Sequence, residues 1–177
     1  MFVHRRVALL APHLTALVLL GCAPALDWRT VRPAGSQVEL SFPCKPSAQQ
    51  RQVQLAGRPV RLELHACAAA GLTWGLAFAD VADPLRVAAA LTELRASAAD
   101  NIAAAALRSE PAQVRGATPN ALSGRTWLAG QLPDGQAVAM QVAVFAYGTR
   151  VFQATALGAA LPDEATDAFF NAIRVLP

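Results

Sequence analysis

The sequence predicts an α+β fold in which a mainly antiparallel sheet of about seven strands carries a long central helix and a C-terminal helix. Three observations favour this class. Short segments of β-type composition, separated by Pro and Gly, occur both before and after one long segment with helical spacing of its apolar residues. The chain closes on a second segment with helical spacing. An antiparallel sheet with helices packed on it buries the apolar faces of all these segments.

The first half of the chain contains four predicted strands, at residues 37–42, 51–55, 59–67 and 72–81. In the third of them, apolar residues at the even positions from Val60 to Ala66 alternate with polar residues at the odd positions. This pattern predicts that one face of the strand packs on a core and the other faces water. His65 falls on the polar face, where we expect a solvated surface imidazole.

The central helix is predicted to begin at Asp83-Pro84, with Asp83 as N-cap and Pro84 at the first helical position. An apolar residue recurs every three or four positions after it, at Val87, Leu91, Leu94, Ala98, Ile102 and Ala105. The spacing predicts a helix that continues to about Leu107, because Pro111 prevents it from going further.

After this helix the β pattern returns, with predicted strands at residues 113–117, 125–131, 136–147 and 150–157. Gly135 and Gly148 lie in segments that are typical of hairpin turns between the last three. A closing helix is predicted over residues 162–176, with apolar residues on one face. Of the three tryptophans, Trp28, Trp74 and Trp127, we expect at least two in the core.

The first 21 residues have the pattern of a targeting segment: basic residues, then an apolar stretch of 14 residues that ends just before Cys22. Spanning a bilayer takes about 20 apolar residues, which disfavours a permanent transmembrane anchor. The motif Leu19-Leu20-Gly21-Cys22 resembles the lipobox of bacterial lipoproteins. In that family the leader is cut before the Cys, whose thiol and new N-terminus are acylated.

This resemblance implies a lipoprotein signal peptide at residues 1–21, a lipidated tether at 22–27 and a single globular domain at 28–177. Ala23, rather than Asp, follows Cys22. In the sorting rule of bacterial lipoproteins this implies the inner leaflet of the outer membrane, facing the periplasm. An ordinary cleaved signal peptide and an uncleaved anchor are the alternatives.

Cys44 and Cys67 remain once Cys22 carries lipid, an even number in an oxidising compartment. This parity predicts a Cys44–Cys67 disulfide, which would stabilise the fold by about 3 kcal/mol. The alternative is a metal or redox site that also uses His65. However, the sequence has no C-x-x-C motif, and His65 is the only His after the leader. Zinc needs three or four protein ligands, so we predict neither a metal site nor a cofactor.

The charge of the chain points to no nucleic-acid partner. Its formal net charge is +3, and without Arg5 and Arg6 of the leader it holds 13 basic and 12 acidic residues, a net charge of +1. These charges are scattered rather than clustered. Electrostatics therefore gives no support for a nucleic acid or an acidic membrane surface as partner.

No catalytic motif is present in the sequence. The G-x-S-x-G elbow of hydrolases is absent, since Ser123-Gly124 lacks the Gly two positions before the Ser, and so is a phosphate-binding P-loop. Asp80 and Asp83 are close in sequence, but their predicted roles are to end a strand and to cap the helix. We therefore predict no catalytic residue and a non-enzymatic protein.

Several features resemble one class of small envelope lipoproteins. They are the segment Pro43-Cys44-Lys45-Pro46 after an early strand, the long central helix, the hairpin with Asp134-Gly135, and the closing Phe169-Phe170-Asn171-Ala172-Ile173. Together they resemble the PsbP-like and DcrB-like α/β/α sandwiches, over most of residues 28–177.

Members of this class act as extrinsic subunits, adaptors or assembly factors. The resemblance thus implies a non-enzymatic binding or assembly module, whose partner is an envelope protein that the sequence does not name. Two alternatives stay open. The domain could carry or sense a small apolar ligand held between the sheet and the long helix, or act as a hydrolase through His65.

Overall fold

The computed structural model describes residues 26–176, and within them the chain forms ten strands and two α-helices. The first part contains β1 Arg29–Val31, β2 Val38–Phe42, β3 Ser47–Leu55, β4 Arg58–Ala69 and β5 Leu72–Asp80. A 3₁₀ turn, Pro84–Arg86, then leads into α1, Val87–Asp100. The second part contains β6 Ala105–Pro111, β7 Gly124–Gln131, β8 Ala137–Tyr147, β9 Arg150–Gly158, α2 Asp163–Asn171 and β10 Arg174–Val175.

Seven of the strands form one sheet in the order β3-β4-β5-β9-β8-β7-β6, and every neighbouring pair is antiparallel. The other three form a small sheet in the order β1-β2-β10. The predicted α+β class, with a seven-stranded antiparallel sheet, one long helix and a C-terminal helix, is confirmed. Because β5 pairs with β9, the strands from the two halves of the chain form a single sheet.

The helix α1 packs on one face of the seven-stranded sheet, over β8 and β9. Its apolar seam is buried, and Ala90 and Leu91 are fully inaccessible. Even-numbered residues of β8, from Val138 to Val144, meet this seam. The small side chain of Ala90 allows the helix to lie close to the strands, so the layer between helix and sheet is filled by side chains.

The small sheet and α2 cover the opposite face of the seven-stranded sheet. An aromatic contact joins the two layers, with ring centroids 5.2 Å apart for Trp74 of β5 and Phe169 of α2. Beside it, Phe145 and Phe152 of the sheet stack with centroids 4.7 Å apart. The strand β8 is therefore buried on both sides, as its two apolar faces predict. Packed layers on both faces of the sheet make the domain a three-layer structure.

The prediction that the central helix continues to about Leu107 is wrong. The helix ends at Asp100, and residues Ala105–Pro111 form the edge strand β6. Ala103 takes a left-handed conformation (φ 45°), and Ala104 N–H donates to Ala99 C=O at 2.9 Å, which turns the chain. The helix preference of Ala amounts to less than about 1 kcal/mol per residue, so pairing with β7 outweighs it.

Two further predictions of secondary structure are wrong. Residues 113–117 form no named strand and contribute one isolated bridge, between Arg115 and Arg174. The closing helix ends at Asn171 rather than near residue 176, and Arg174–Val175 then pairs with β2. In both cases, backbone pairing with a segment far away in sequence decides the conformation.

The other predicted strands are present, and β3 begins four residues earlier than expected, at Ser47. The expectation for the tryptophans is wrong, because Trp74 is fully buried whereas Trp28 is 40% exposed and Trp127 is half-buried. Trp28 lies with its edge against Trp74, at a centroid distance of 6.4 Å. The first described residues thus pack directly on the domain.

Candidate functional site

The predicted lipidation site, Cys22, lies outside the described residues. Cys44 and Cys67 are brought together as expected, with their sulfurs 1.98 Å apart and their Cα atoms 6.0 Å apart. Cys44 precedes β3, and Cys67 lies in β4. The pair therefore ties the beginning of the edge strand β3 to its only neighbour in the sheet.

His65 does not have the solvated position that the alternation predicts. Its side chain is only 12% exposed and lies parallel to the Phe78 ring, with centroids 6.3 Å apart. Its Nε2 atom is 2.6 Å from Oε1 of Glu63. The prediction fails because the second face of the sheet also carries a packed layer, so a polar position on β4 is partly covered.

Glu63 also accepts a hydrogen bond from Gln50 Nε2 at 2.7 Å. Burial of the Glu63 carboxyl opposes its ionisation, but hydrogen bonds from His65 and Gln50 and the charges of His65 and Arg61 outweigh burial and lower its pKa. Within residues 26–176, no hydroxyl or thiol hydrogen-bonds to the His65 ring. The arrangement is a histidine–carboxylate pair without an adjacent nucleophile.

Asp80 and Asp83 have the structural roles that the sequence predicts. The Asp83 carboxylate accepts from Leu85 N–H at 2.9 Å and caps the 3₁₀ turn before α1. The Asp80 carboxylate accepts from Thr149 Oγ1 at 2.7 Å and from Ala82 N–H at 2.8 Å. The hydrogen bond from Thr149 lowers the pKa of Asp80 and outweighs partial burial, which raises it. The hydrogen bond from Ala82 N–H and the charge of Arg150 lower this pKa further. In the described part of the chain, no three His, Cys, Asp or Glu side chains come together as metal ligands.

A large cleft lies between the loop at residues 111–123 and the segment that joins α2 to β10. Its volume is about 540 Å³. Phe145 lies among its lining residues. Seven of its fifteen lining residues are polar: Gln113, Arg115, Thr118, Asn120, Ser123, Asn171 and Arg174.

Both charged residues that line this cleft are arginines, Arg115 and Arg174, and its lining contains no carboxylate. Arg174 forms an ion pair with the buried Glu39, which also pairs with Arg32. One carboxylate therefore balances two guanidinium groups, and Arg115 forms no ion pair with any described residue. This arrangement leaves an excess of positive charge, which favours an anionic group in the cleft.

Backbone contacts hold the loop wall of the cleft in place. Val175 N–H donates to Arg115 C=O at 2.8 Å, and Thr118 N–H donates to Ala146 C=O at 2.8 Å. Between them, Gly116 has φ +80°, and a Cβ atom there would lie 2.6 Å from the Val175 carbonyl oxygen. Only Gly allows so close an approach of two backbones, so Gly116 sets the position of Arg115.

A smaller recess of about 80 Å³ shares several lining residues with the cleft and includes Arg125. The Arg125 guanidinium lies 4.6 Å from the centre of the Phe170 ring and donates to Asp167 at 2.8 Å. It is also 5.0 Å from the centre of the Trp127 ring, whose face Arg108 approaches to 3.7 Å. Aromatic contacts of this kind hold the guanidinium groups in place.

The cleft and the first described residues lie on different halves of the sheet. Trp28 packs on Trp74 of β5. Trp74 pairs with Ala156 of β9, which in turn pairs with Gln141 of β8. The cleft loop instead pairs with Ala146, five residues further along β8. At about 3.4 Å per residue, the positions of Gln141 and Ala146 are about 17 Å apart along β8.

No sequence motif marks the residues that line the cleft as functional. Residues 113–117 were expected to form a strand, although Gly116 and Thr118-Pro119-Asn120 are typical of a loop. Arg115 and Arg174 are far apart in sequence and share no motif. Their proximity depends on the single bridge between the loop and β10.

A comparison with protein-family models and with curated proteins finds no match to this chain. Neither helix in the described part is long and apolar enough to cross a membrane.

Proposed function

We propose that this protein is a lipid-anchored envelope lipoprotein whose domain binds an anionic group of another envelope component in the cleft beside Arg115 and Arg174. The anchor is Cys22, and the location is the inner leaflet of the outer membrane. The function is binding or assembly rather than catalysis. The observation that carries this proposal is the lining of the cleft, which contains two arginines and no carboxylate.

The position of the cleft supports a role in contacting a partner. A tether of about six residues reaches at most about 20 Å from the lipid, so the half of the sheet near Trp28 would face the membrane. The cleft lies about 17 Å further along the strands, where it would open towards the periplasm. A partner in the periplasm could reach it without displacing the domain from the membrane surface.

The packing between helix and sheet gives less support to the alternative of an apolar ligand carrier. Such a ligand would need an enclosed apolar space between α1 and the sheet. Over β8 and β9, Ala90, Leu91 and Ala98 of α1 are buried and their side chains fill that layer. The space that α1 leaves beside β3 is an open groove with charged residues in its lining. The hydrolase alternative would depend on His65, whose described hydrogen bond goes to Glu63 rather than to a nucleophile.

The membrane anchor is tested by fractionation and intact mass. In a bacterial host that lipidates such leaders, the native chain is expected in the membrane fraction, with a mass that matches a diacylated Cys22. Cys22→Ser should move the protein to the soluble fraction. A bare thiol at Cys22, or membrane association that is unchanged in Cys22→Ser, would contradict the anchor.

The cleft is tested with a defined anionic probe. A triglutamate peptide is titrated into the ¹⁵N-labelled mature protein in detergent, with a trilysine peptide as the control. We expect triglutamate to shift the amide signals of residues 113–120 and 171–174. Arg115→Ala should weaken its binding about fivefold, the size of one exposed ion pair. Equal shifts with trilysine, or unchanged affinity of Arg115→Ala, would overturn the proposal.

A further inference from the structure

The two edge strands of the seven-stranded sheet differ in how they are protected. The edge β6 has a bulge between Ala106 and Arg108, and it carries Arg108, Glu110 and Pro111. Charges, bulges and prolines are the devices that stop an edge strand from pairing with another chain. The opposite edge, β3, has an unbroken register with β4 over nine residues, contains no Pro, and has Arg51 as its one charged residue.

The unprotected strand β3 is also held firmly at both ends. The Cys44–Cys67 pair joins its beginning to β4. At its end, the Arg86 guanidinium donates to Leu55 C=O at 2.6 Å and to Ala56 C=O at 3.1 Å. Edge strands lack a second neighbour and tend to fray, whereas these contacts keep β3 extended. A rigid strand loses little conformational entropy when a second chain pairs with it.

A groove of about 430 Å³ runs beside β3, between the strands and α1. It exists because α1 lies over β8 and β9 and leaves β3 and β4 less covered. Its lining is apolar at Val53, Leu62 and Leu94. Glu93 and Asp100 of α1 are its acidic residues and Arg51 of β3 is its basic residue, so the lining carries a net charge of −1. Asp100 forms no ion pair with any described side chain.

We propose that β3 binds an extended segment of another protein, which adds an eighth strand to the sheet. Backbone hydrogen bonds to the outward-facing amides and carbonyls of Ser47–Leu55 would give the affinity. On the face of α1, alternate side chains of the added strand lie beside the groove. On that face the partner segment therefore carries apolar residues over Val53 and a Lys or Arg that reaches Asp100.

A second copy of this chain is a poorer occupant for β3. Antiparallel pairing of two β3 strands about a twofold axis would place the Trp28 halves of the two sheets at opposite ends of the dimer. A short tether at each end could not then reach one membrane. This exclusion rests on the proposed lipid anchor at Cys22, whereas the strand-addition site itself does not depend on it or on the cleft.

The first experiment measures hydrogen exchange of the mature protein with a synthetic probe, the peptide Thr-Val-Thr-Lys-Thr-Val-Thr with blocked ends, in which both Val and the Lys lie on one face of the strand. The control peptide has the same sequence with alternate amides N-methylated, which removes its donors along one edge. We expect the probe to slow exchange of the outward amides of Ser47–Leu55 at least tenfold and to leave Ala105–Pro111 unchanged. No protection of β3, equal protection of β6, or equal protection by the control peptide would overturn the proposal.

A pair of adjacent variants, Ala48→Pro and Gln49→Pro, tests the backbone contact. Adjacent residues of an antiparallel strand point their N–H groups alternately towards β4 and outwards. One variant therefore loses a bond to β4 and is destabilised, and the other keeps its stability and loses an outward donor. We expect the stable variant to bind the probe at least tenfold more weakly. Unchanged binding by that variant would overturn the proposal.

Asp100→Lys should weaken binding of the probe about fivefold, and the matched control Asp163→Lys, on the exposed start of α2, should have no effect. An equal effect of both would show that net charge alone is responsible and would contradict the groove. Light scattering without the probe completes the test. If the protein is a dimer and the stable Pro variant is a monomer, then β3 pairs with a second copy of this chain rather than with a partner segment. The proposed anion site in the cleft is independent of both outcomes.

Discussion

The Nη2 atom of Arg86 donates a hydrogen bond of 2.6 Å to the carbonyl oxygen of Leu55, the last residue of β3. The same guanidinium donates to Val81 C=O at 2.9 Å, beyond the end of β5. The start of the central helix is thereby fixed to two strand ends. Next to it, the Glu93 carboxylate accepts from Ala56 N–H at 2.7 Å. These contacts hold the β3–β4 turn against α1.

We expect Arg86→Ala to lower the free energy of unfolding by about 2 kcal/mol, because the backbone carbonyls of Leu55, Ala56 and Val81 lose their charged donor. Urea unfolding measures the loss. The matched control is Arg58→Ala. Arg58 is exposed at the beginning of β4, and its side chain forms no described hydrogen bond. A change of less than about 0.5 kcal/mol in Arg86→Ala would show that the three bonds contribute little beyond what water supplies.

Reduction of the Cys44–Cys67 pair should lower the free energy of unfolding by about 3 kcal/mol, because the loop between the two residues spans 23 positions and regains its entropy in the unfolded chain. The double variant Cys44→Ala/Cys67→Ala measures this loss by urea unfolding. Adding a reductant to the native protein should reproduce it and should have no effect on the variant. Equal stability of both proteins would contradict the prediction.

The stability of the domain should decrease in acid through Glu63 and Asp80. Both pKa values are lowered in the folded protein from ordinary values of 4.5 and 3.8. The unfolded chain therefore binds more protons between the folded and unfolded pKa values, and stability rises with pH across that range. The contribution is complete above about pH 5 and is lost as the pH falls through the folded values.

Urea unfolding at a series of pH values checks this dependence with Glu63→Gln. We expect the variant to be less stable than the native protein at neutral pH, because the neutral amide loses the charge-assisted contact with His65. The difference should shrink in acid, where Glu63 of the native protein becomes protonated. A difference that stays constant with pH would refute the role of the Glu63 carboxylate.

Gly116→Ala should disturb the cleft more than an equivalent change elsewhere. Gly116 and Gly135 both have positive φ, but an added Cβ at Gly116 would lie 2.6 Å from Val175 C=O, and at Gly135 it would meet nothing within 4 Å. In both variants Ala must adopt a positive φ, which costs about 1 kcal/mol. Gly116→Ala must in addition displace the loop. We expect an additional loss of about 1–2 kcal/mol in urea and weaker binding of triglutamate. Equal effects of the two substitutions would contradict the close approach.

Local patterns of the sequence predict much of this fold. The alternation in β4, the seam of α1 and the Asp83 cap all depend on residues a few positions apart, so a linear sequence reveals them. The Cys44–Cys67 pair follows from parity alone. His65 shows where this reasoning fails, because alternation assigns it to a face of the strand but cannot show what covers that face.

The sequence by itself determined the α+β class and the order of most elements, and it predicts the leader and the lipidation site at Cys22, which lie outside the described residues. Tertiary structure alone decided that α1 stops at Asp100, that β6 closes one sheet edge while β3 remains open, and that Arg115 meets Arg174. The physical reason is that these features depend on backbone pairing between distant segments, which can outweigh local preferences of less than about 1 kcal/mol per residue.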